Sequence, residues 1–360
     1  MASHYRFRPA PGQPMLAHVT SRIVNRALWF DEEGKRVFRG LMRKYEGFGG
    51  LRVITYCLMS NHFHILVEVP ERPEQMLDEE TMLAHLEATL GKMKAREYRD
   101  LFGLWRSNGC AGEIPKVLAA LWKRMFDLSA FVQALKLGFS KWYNRKHGRK
   151  GTLWEERFAS VLVEGAGNAV ATMAAYIDLN PVRAGLASDP KEYQWSGYGE
   201  AVGGGRLARR GIAMAVGALR RQKLETAAAM RWNEAQAVYR KWIYWGGQEV
   251  KAGGATPGRK GFAVEQIEAV LRAGGKLGLA DVVRLRVRHF TAGAVVGSRE
   301  FVDEIFAGAR ERFGPKRTTG ARRLRMLERD AGLYALRDLQ QRRGSTRNRS
   351  RISRSIPIRP

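Results

Sequence analysis

The 360-residue sequence has only two cysteines, Cys57 and Cys110, which stand far apart without a Cys-x-x-Cys spacing. This scarcity excludes a disulfide framework and a zinc site built on cysteines, and it favours a reducing compartment. No run approaches the roughly 20 apolar residues of a membrane-spanning helix, and the first residues lack the apolar stretch of a secretory signal. We therefore expect a cytoplasmic protein with no membrane partner.

Acidic residues are also scarce. There are 62 Lys and Arg against 35 Asp and Glu, so the net charge is +27. Such an excess favours a polyanionic partner, most often nucleic acid, with an anionic membrane surface as the weaker alternative. The excess is uneven: residues 1–200 hold 28 basic and 22 acidic side chains, whereas residues 201–360 hold 34 and 13. The two parts are therefore expected to do different work.

The glycines at 203–205 suggest a domain boundary, and 253–261 resembles a linker. We predict a first domain over residues 1–202 and a helical, basic DNA-binding accessory region over 206–340. Within that region, residues 277–313 are predicted to form short helices with a turn at 291–297 and with Ser298 as a helix N-cap. The final residues, 341–360, are rich in arginine without acids, which predicts a disordered basic tail.

Hydrophobic patterning of the first domain predicts an α+β fold with a mainly antiparallel sheet. Two apolar, β-branched runs at 51–60 and 62–69 are separated by one residue and predict a hairpin. The other predicted elements are strands at 16–25 and 158–164 and helices at 35–48, 128–146 and 168–179.

His62 and His64 are two apart on a predicted strand, so their imidazoles share one face while Phe63 points to the other. Neutral imidazoles together with oxygen ligands suit a divalent metal. The alternative is a solvated strand face, and the pattern alone leaves the two interpretations equally balanced.

Tyr176 and Asn180 are four apart near the end of a predicted helix, which places phenol and carboxamide on one face and Asp178 on another. A tyrosine nucleophile requires an electrophile polarised by a cation, and the amide oxygen at i+4 can serve as a further ligand of that cation. The alternative has Tyr176 in the core and Asn180 capping the helix before Pro181.

Four ordered segments carry a resemblance to a known family: AHVTSRIVNRALWF, YCLMSNHFHILVEVP, RKGTLWEERFASVLVEG and AAYIDLNPVRAGL. In this order, over residues 16–187, they resemble the single-tyrosine HUH transposases, particularly the REP-associated tyrosine transposases. The resemblance implies a ferredoxin-like HUH domain followed by a mostly helical basic C-terminal region. The stretch at about 72–128 is longer than the family's usual link and is predicted to be an inserted helical element.

The resemblance also implies the chemistry. Tyr176 would be the nucleophile, and His62, His64 and Asn180 would hold Mg²⁺ or Mn²⁺, although many relatives carry glutamine at the last position. The implied reaction nicks and rejoins single-stranded DNA beside a hairpin of a repeated palindrome, through a 5′-phosphotyrosine, in a monomer or homodimer. A catalytically inactive DNA-binding protein and a relaxase-like or replication-initiator-like nicking enzyme are the alternatives.

Basic residues outside this site are the candidate DNA contacts, because phosphate contacts position a nucleic acid without reading its sequence. Those within residues 1–200 lie at the end of the predicted helix at 128–146 or just after it, and those within residues 201–360 lie beyond residue 313. They are Arg145, Lys146, Arg149, Lys150, Arg317, Arg322, Arg323 and Arg325.

Overall fold

The computed structural model describes residues 14–245, 294–313, 317–323 and 333–336. The strands are β1 (Met15–Arg22), β2 (Arg52–Leu58), β3 (His62–Val69), β4 (Ala159–Val163), β5 (Val295–Gly297), β6 (Arg322–Arg323) and β7 (Tyr334–Leu336). The helices up to β4 are α1 (Glu32–Gly49), α2 (Glu79–Leu90), α3 (Lys92–Ser107), α4 (Ile114–Arg124) and α5 (Leu128–Lys146). Those after it are α6 (Asn168–Asp178), α7 (Asn180–Arg183), α8 (Gly197–Val202), α9 (Arg206–Leu219), α10 (Leu224–Ala227), α11 (Trp232–Trp245) and α12 (Arg299–Gly308).

The described strands form one sheet in the order β2-β3-β1-β4-β5-β7-β6. All neighbouring pairs are antiparallel except β4 and β5, which run parallel, so the sheet is mixed. The predicted α+β class and the predicted β2–β3 hairpin are both confirmed. The hairpin closes with the Met59 amide donating to the His62 carbonyl at 2.9 Å.

The two faces of the sheet are covered by different helices, as the alternation of β3 requires. The Phe63 ring contacts Phe38 of α1 at a centroid distance of 4.9 Å, and Phe38 in turn contacts Phe139 of α5. His64 has the opposite parity and faces Tyr176 of α6 at 6.0 Å. The apolar residues of β3 therefore bury one face, and its histidines reach the other.

A buried carboxyl group ties α6 to three other elements. Asp178 is fully buried and accepts hydrogen bonds from the Thr55 hydroxyl of β2, the Tyr198 amide of α8 and the Tyr239 hydroxyl of α11. The Tyr239 bond is the shortest, at 2.6 Å. Because the main hydrophobic core includes Ile212 of α9 as well as Tyr239, helices beyond residue 206 pack on the same core as the sheet.

Helices α2, α3 and α4 lie between β3 and α5 and form a second hydrophobic cluster around Met82, Phe102 and Leu118. This segment coincides with the stretch at 72–128. That it is an insertion relative to a family stays a prediction, as does the domain division at 202–206.

The C-terminal residues contain strands that the sequence did not lead us to expect. A turn was predicted within 291–297, but Val295 and Val296 pair with Leu162 and Val163 of β4. The interpretation was wrong because a free sheet edge, which only the tertiary structure supplies, selects the β conformation for these residues. The predicted N-cap is confirmed, since the Ser298 hydroxyl accepts from the Phe301 amide. The tail at 341–360 and the linker-like stretch at 253–261 lie outside the described residues.

None of the helices within the described ranges is both long enough and apolar enough to cross a bilayer.

Candidate active site

One cleft contains all four of the residues that the sequence singled out for chemistry. His62 and His64 come from β3, Tyr176 comes from α6, and Asn180 comes from the start of α7. The cleft has a volume of about 310 Å³. Its remaining lining residues are Thr20, Ser21, Arg22, Glu155, Glu156, Arg157 and Ala159.

Both cleft histidines are held neutral at physiological pH. Burial lowers the pKa of His62 to about 4, with a smaller contribution from the Arg22 charge. Burial also lowers the pKa of His64 well below its ordinary value, and His18, His62 and nearby arginines act in the same direction. A neutral imidazole keeps a nitrogen lone pair, which is the form that coordinates a metal.

Each histidine contacts a second polar side chain through its Nδ1. His62 Nδ1 lies 2.7 Å from Asn61 Oδ1, and His64 Nδ1 lies 3.0 Å from His18 Nε2. The His18 and His64 rings are nearly parallel, within 18°, with centroids 5.2 Å apart, and only 1% and 4% of the two residues is exposed. Sequence analysis missed His18. Its place on a strand facing the site was a usable signal, but only the β1–β3 register, which pairs Thr20 with His64, brings it there.

The carboxamide of Asn180 is oriented by the helix end that it follows. Its Nδ2 donates to the carbonyls of Tyr176 at 3.0 Å and Ile177 at 3.2 Å. These two acceptors require the NH₂ group on that side, so Oδ1 points away from them. Asn180 therefore caps α6, as the alternative interpretation held, and it also lines the cleft with its amide oxygen available.

Tyr176 lies at the base of the cleft, 8% exposed, with a cation against its ring. The Arg183 guanidinium is 5.0 Å from the ring centroid, and its Nη1 is buried without a hydrogen-bond partner among the described residues. Arg22 and Arg157 add two further cations to the cleft wall. Sequence analysis did not single out these three arginines, which converge from β1, the loop before β4, and α7.

The donor set fits a divalent metal. Two neutral imidazoles and one carboxamide oxygen line a cleft with room for further oxygen ligands, which is the mixed set that first-row divalent ions accept. No group of three or more His, Cys, Asp or Glu side chains in the described part of the chain has metal-binding geometry. Besides the two imidazoles, the oxygen-bearing side chains of Asn180, Glu155 and Glu156 line the cleft.

The predicted basic contacts of the first part cluster at the end of α5. Arg145, Lys146, Arg149 and Lys150 are all exposed. Lys146 also pairs with Glu33, and the Arg149 guanidinium lies 4.0 Å from the centroid of the Trp29 ring.

The predicted contacts of the second part, Arg317, Arg322, Arg323 and Arg325, differ in their surroundings. Arg322 and Arg323 are exposed on β6. Arg317 contacts the rings of Phe306 and Phe313 and donates to backbone carbonyls, so it has a packing role. Arg325 lies outside the described residues.

No family model matches the chain, and no curated protein does. Among solved structures the chain is similar to one described as a REP-associated tyrosine transposase bound to a REP hairpin. The two are 15% identical over 56% of this chain and 87% of that one, with a TM-score of 0.36. A similarity of this size shows neither the family nor the activity of this chain.

Proposed function

We propose that the protein is a metal-dependent enzyme that nicks and rejoins single-stranded DNA through a 5′-phosphotyrosine, as a REP-associated tyrosine transposase does. The observation that supports this is the convergence of His62, His64, Tyr176 and Asn180 on one cleft. The order of elements up to α6, with β1 between β3 and β4, also suits a ferredoxin-like HUH domain.

The chemistry is a pair of transesterifications. The Tyr176 oxygen attacks the scissile phosphorus, a Tyr–O–P bond forms, and the P–O3′ bond breaks. The phenolic proton is lost, and the departing 3′ oxygen takes up a proton to become a free hydroxyl. In the rejoining step this 3′-hydroxyl attacks the phosphotyrosine and releases Tyr176. One phosphoester bond is formed for each one broken, so the reaction requires no nucleotide cofactor.

Charge must be neutralised at the phosphate as the transition state forms. A divalent metal, Mg²⁺ or Mn²⁺, held by His62, His64 and Asn180, supplies a Lewis acid for this purpose when it is bound. The arginines of the cleft contribute from the protein side. Arg22 and Arg157 line the wall where phosphate oxygens enter, and Arg183 holds its charge against the Tyr176 ring.

Single-stranded DNA is the proposed substrate because a flexible strand can bend into the cleft and stack its bases on aromatic groups. An aromatic and cationic cluster outside the cleft lining joins the end of α5 to the segment before α1. It consists of Trp29 stacked on Tyr143 at 5.2 Å, His147 at 4.1 Å from Tyr143, and Arg149 on Trp29. We propose that Arg149 and its neighbours Arg145, Lys146 and Lys150 grip the DNA flank, and that Arg322 and Arg323 contact the hairpin stem.

The decisive experiment incubates the full chain with a labelled hairpin oligonucleotide carrying a single-stranded flank, with Mg²⁺, with Mn²⁺ and with EDTA. The expected result is a metal-dependent covalent adduct that survives denaturation and is lost in Tyr176→Phe. The matched control is Tyr98→Phe on α3, which should form the adduct at the wild-type level.

Two further variants separate cleavage from binding. His62→Ala should abolish the adduct while leaving salt-sensitive DNA binding, because it removes a metal ligand and leaves the basic surface intact. His85→Ala on α2, which contacts Phe48 of the second hydrophobic cluster, is its control. DNA binding without an adduct under any metal would identify a non-catalytic DNA-binding protein, and an adduct that persists in Tyr176→Phe would contradict the assignment of the nucleophile.

A further inference from the structure

His62 shows how a neighbour can select the tautomer of a cleft histidine. Asn61 Nδ2 donates to the Arg26 carbonyl at 3.1 Å, which turns Asn61 Oδ1 toward His62. An amide oxygen only accepts, so His62 Nδ1 carries the proton and donates it. The Nε2 of His62 is then left with its lone pair.

The same question arises at His64, where the neighbour is another imidazole. Between two neutral rings one nitrogen donates and the other accepts, so the 3.0 Å contact between His18 Nε2 and His64 Nδ1 admits two proton arrangements. If His18 donates, then His64 carries its own proton on Nε2 and has no lone pair for a metal. If His18 accepts, then His64 Nε2 is free to coordinate.

We propose that His18 is a positioning residue that accepts the Nδ1–H of His64 and so holds His64 in the tautomer whose Nε2 coordinates the metal. This inference rests on the proposed function, since it concerns the same metal site. His18 thus selects the tautomer of His64 by accepting its Nδ1–H, as Asn61 selects the tautomer of His62.

Burial favours the His18 contact. His18 is 1% exposed, and its ring lies within 18° of the plane of the His64 ring with the two facing nitrogens 3.0 Å apart, which is the arrangement of an in-plane hydrogen bond. A hydrogen bond to the second nitrogen of a ligating histidine fixes the orientation of the ring and raises its basicity as a ligand. Loss of such a partner typically weakens metal affinity by about 10- to 100-fold.

The first test measures Mn²⁺ affinity of the DNA-free full chain by electron paramagnetic resonance of the free ion. His18→Leu removes the acceptor and should weaken binding by about 10- to 100-fold. His18→Gln places an amide oxygen near the position of Nε2 and should restore most of the affinity, a rescue that a purely structural role would not produce. His62→Ala should abolish binding, and His85→Ala should leave it unchanged.

The second test reads the tautomer directly, by long-range ¹H–¹⁵N spectra of the metal-free chain labelled on histidine. His64 should show a protonated Nδ1 and an unprotonated Nε2, and this measurement on the wild type stands even if His18→Leu does not fold. A protonated Nε2 on His64 overturns the inference. Unchanged Mn²⁺ affinity in His18→Leu, with binding lost in His62→Ala, overturns the role of His18 and leaves the metal site standing. Unchanged affinity in both variants overturns the metal site as well.

Discussion

Removing one hydroxyl, in Tyr239→Phe, tests whether the helix that carries Tyr176 is held by the buried Asp178 carboxyl. The substitution keeps the ring of a residue that has no exposed surface and deletes only the 2.6 Å hydrogen bond to Asp178. A hydrogen bond to a charged group contributes about 1.5–3 kcal/mol, whereas one to a neutral group contributes about 0.5–1.5 kcal/mol. The protonation state of Asp178 therefore sets the size of the loss.

Burial raises the pKa of Asp178 to about 7, against the opposing effect of its hydrogen-bond donors, Tyr239 first. At pH 8 the carboxyl is mostly ionised, and Tyr239→Phe should lower the free energy of unfolding by about 1.5–3 kcal/mol. At pH 5.5 it is protonated, and the loss should fall to about 0.5–1.5 kcal/mol.

The assay is equilibrium urea unfolding followed by far-ultraviolet circular dichroism at both pH values, with Tyr98→Phe as the control. Asp178→Ala leaves all three donors without their acceptor and should lower the free energy of unfolding by about 3–5 kcal/mol. A loss below about 0.5 kcal/mol for Tyr239→Phe at pH 8, or an equal loss at both pH values, would refute the network as described, because neither fits a donor to a buried carboxylate.

Three further results are expected. The native state retains the Asp178 proton up to about pH 7, whereas the unfolded chain loses it at about pH 4. The free energy of unfolding should therefore fall as the pH rises from about 4 to 7, and Asp178→Asn should flatten that slope in urea titrations. Gly211→Ala places a Cβ 2.2 Å from the Ile54 carbonyl oxygen and should cost about 1–3 kcal/mol, while Gly103→Ala, with open space around it, should be neutral or slightly stabilising in the same assay. Ser298→Ala removes a helix cap and should cost about 1 kcal/mol by the same measurement, and a null effect would show that α12 does not depend on it.

Local spacing was sufficient to place each pair of candidate site residues on one face. A separation of two on a strand does so for His62 and His64, and a separation of four at a helix end does so for Tyr176 and Asn180. Spacing left the role of each pair open, and the resemblance to a family joined the two pairs into one predicted site; all four residues line one cleft. The hairpin and helices α1, α5 and α6 were predicted from periodicity in the same way.

Contacts between distant segments could not be predicted in this way. His18 reaches His64, 46 residues away, only through the β1–β3 register. Val295 becomes a strand residue only because β4 offers it an edge. A polar residue on a strand carries no local mark of its cross-strand partner, since that partner is selected by register and by the twist of the sheet.

The same distinction between local and long-range determinants applies to the protein as a whole. Composition and the ordered motifs were enough to indicate a histidine and tyrosine chemistry and a basic, DNA-directed surface, because side-chain chemistry and helix or strand periodicity are local properties. Tertiary packing determined the rest. It joined helices after residue 206 to the core of the sheet through Asp178, and it brought His18 to His64, because burial and long-range pairing exist only once the chain has folded.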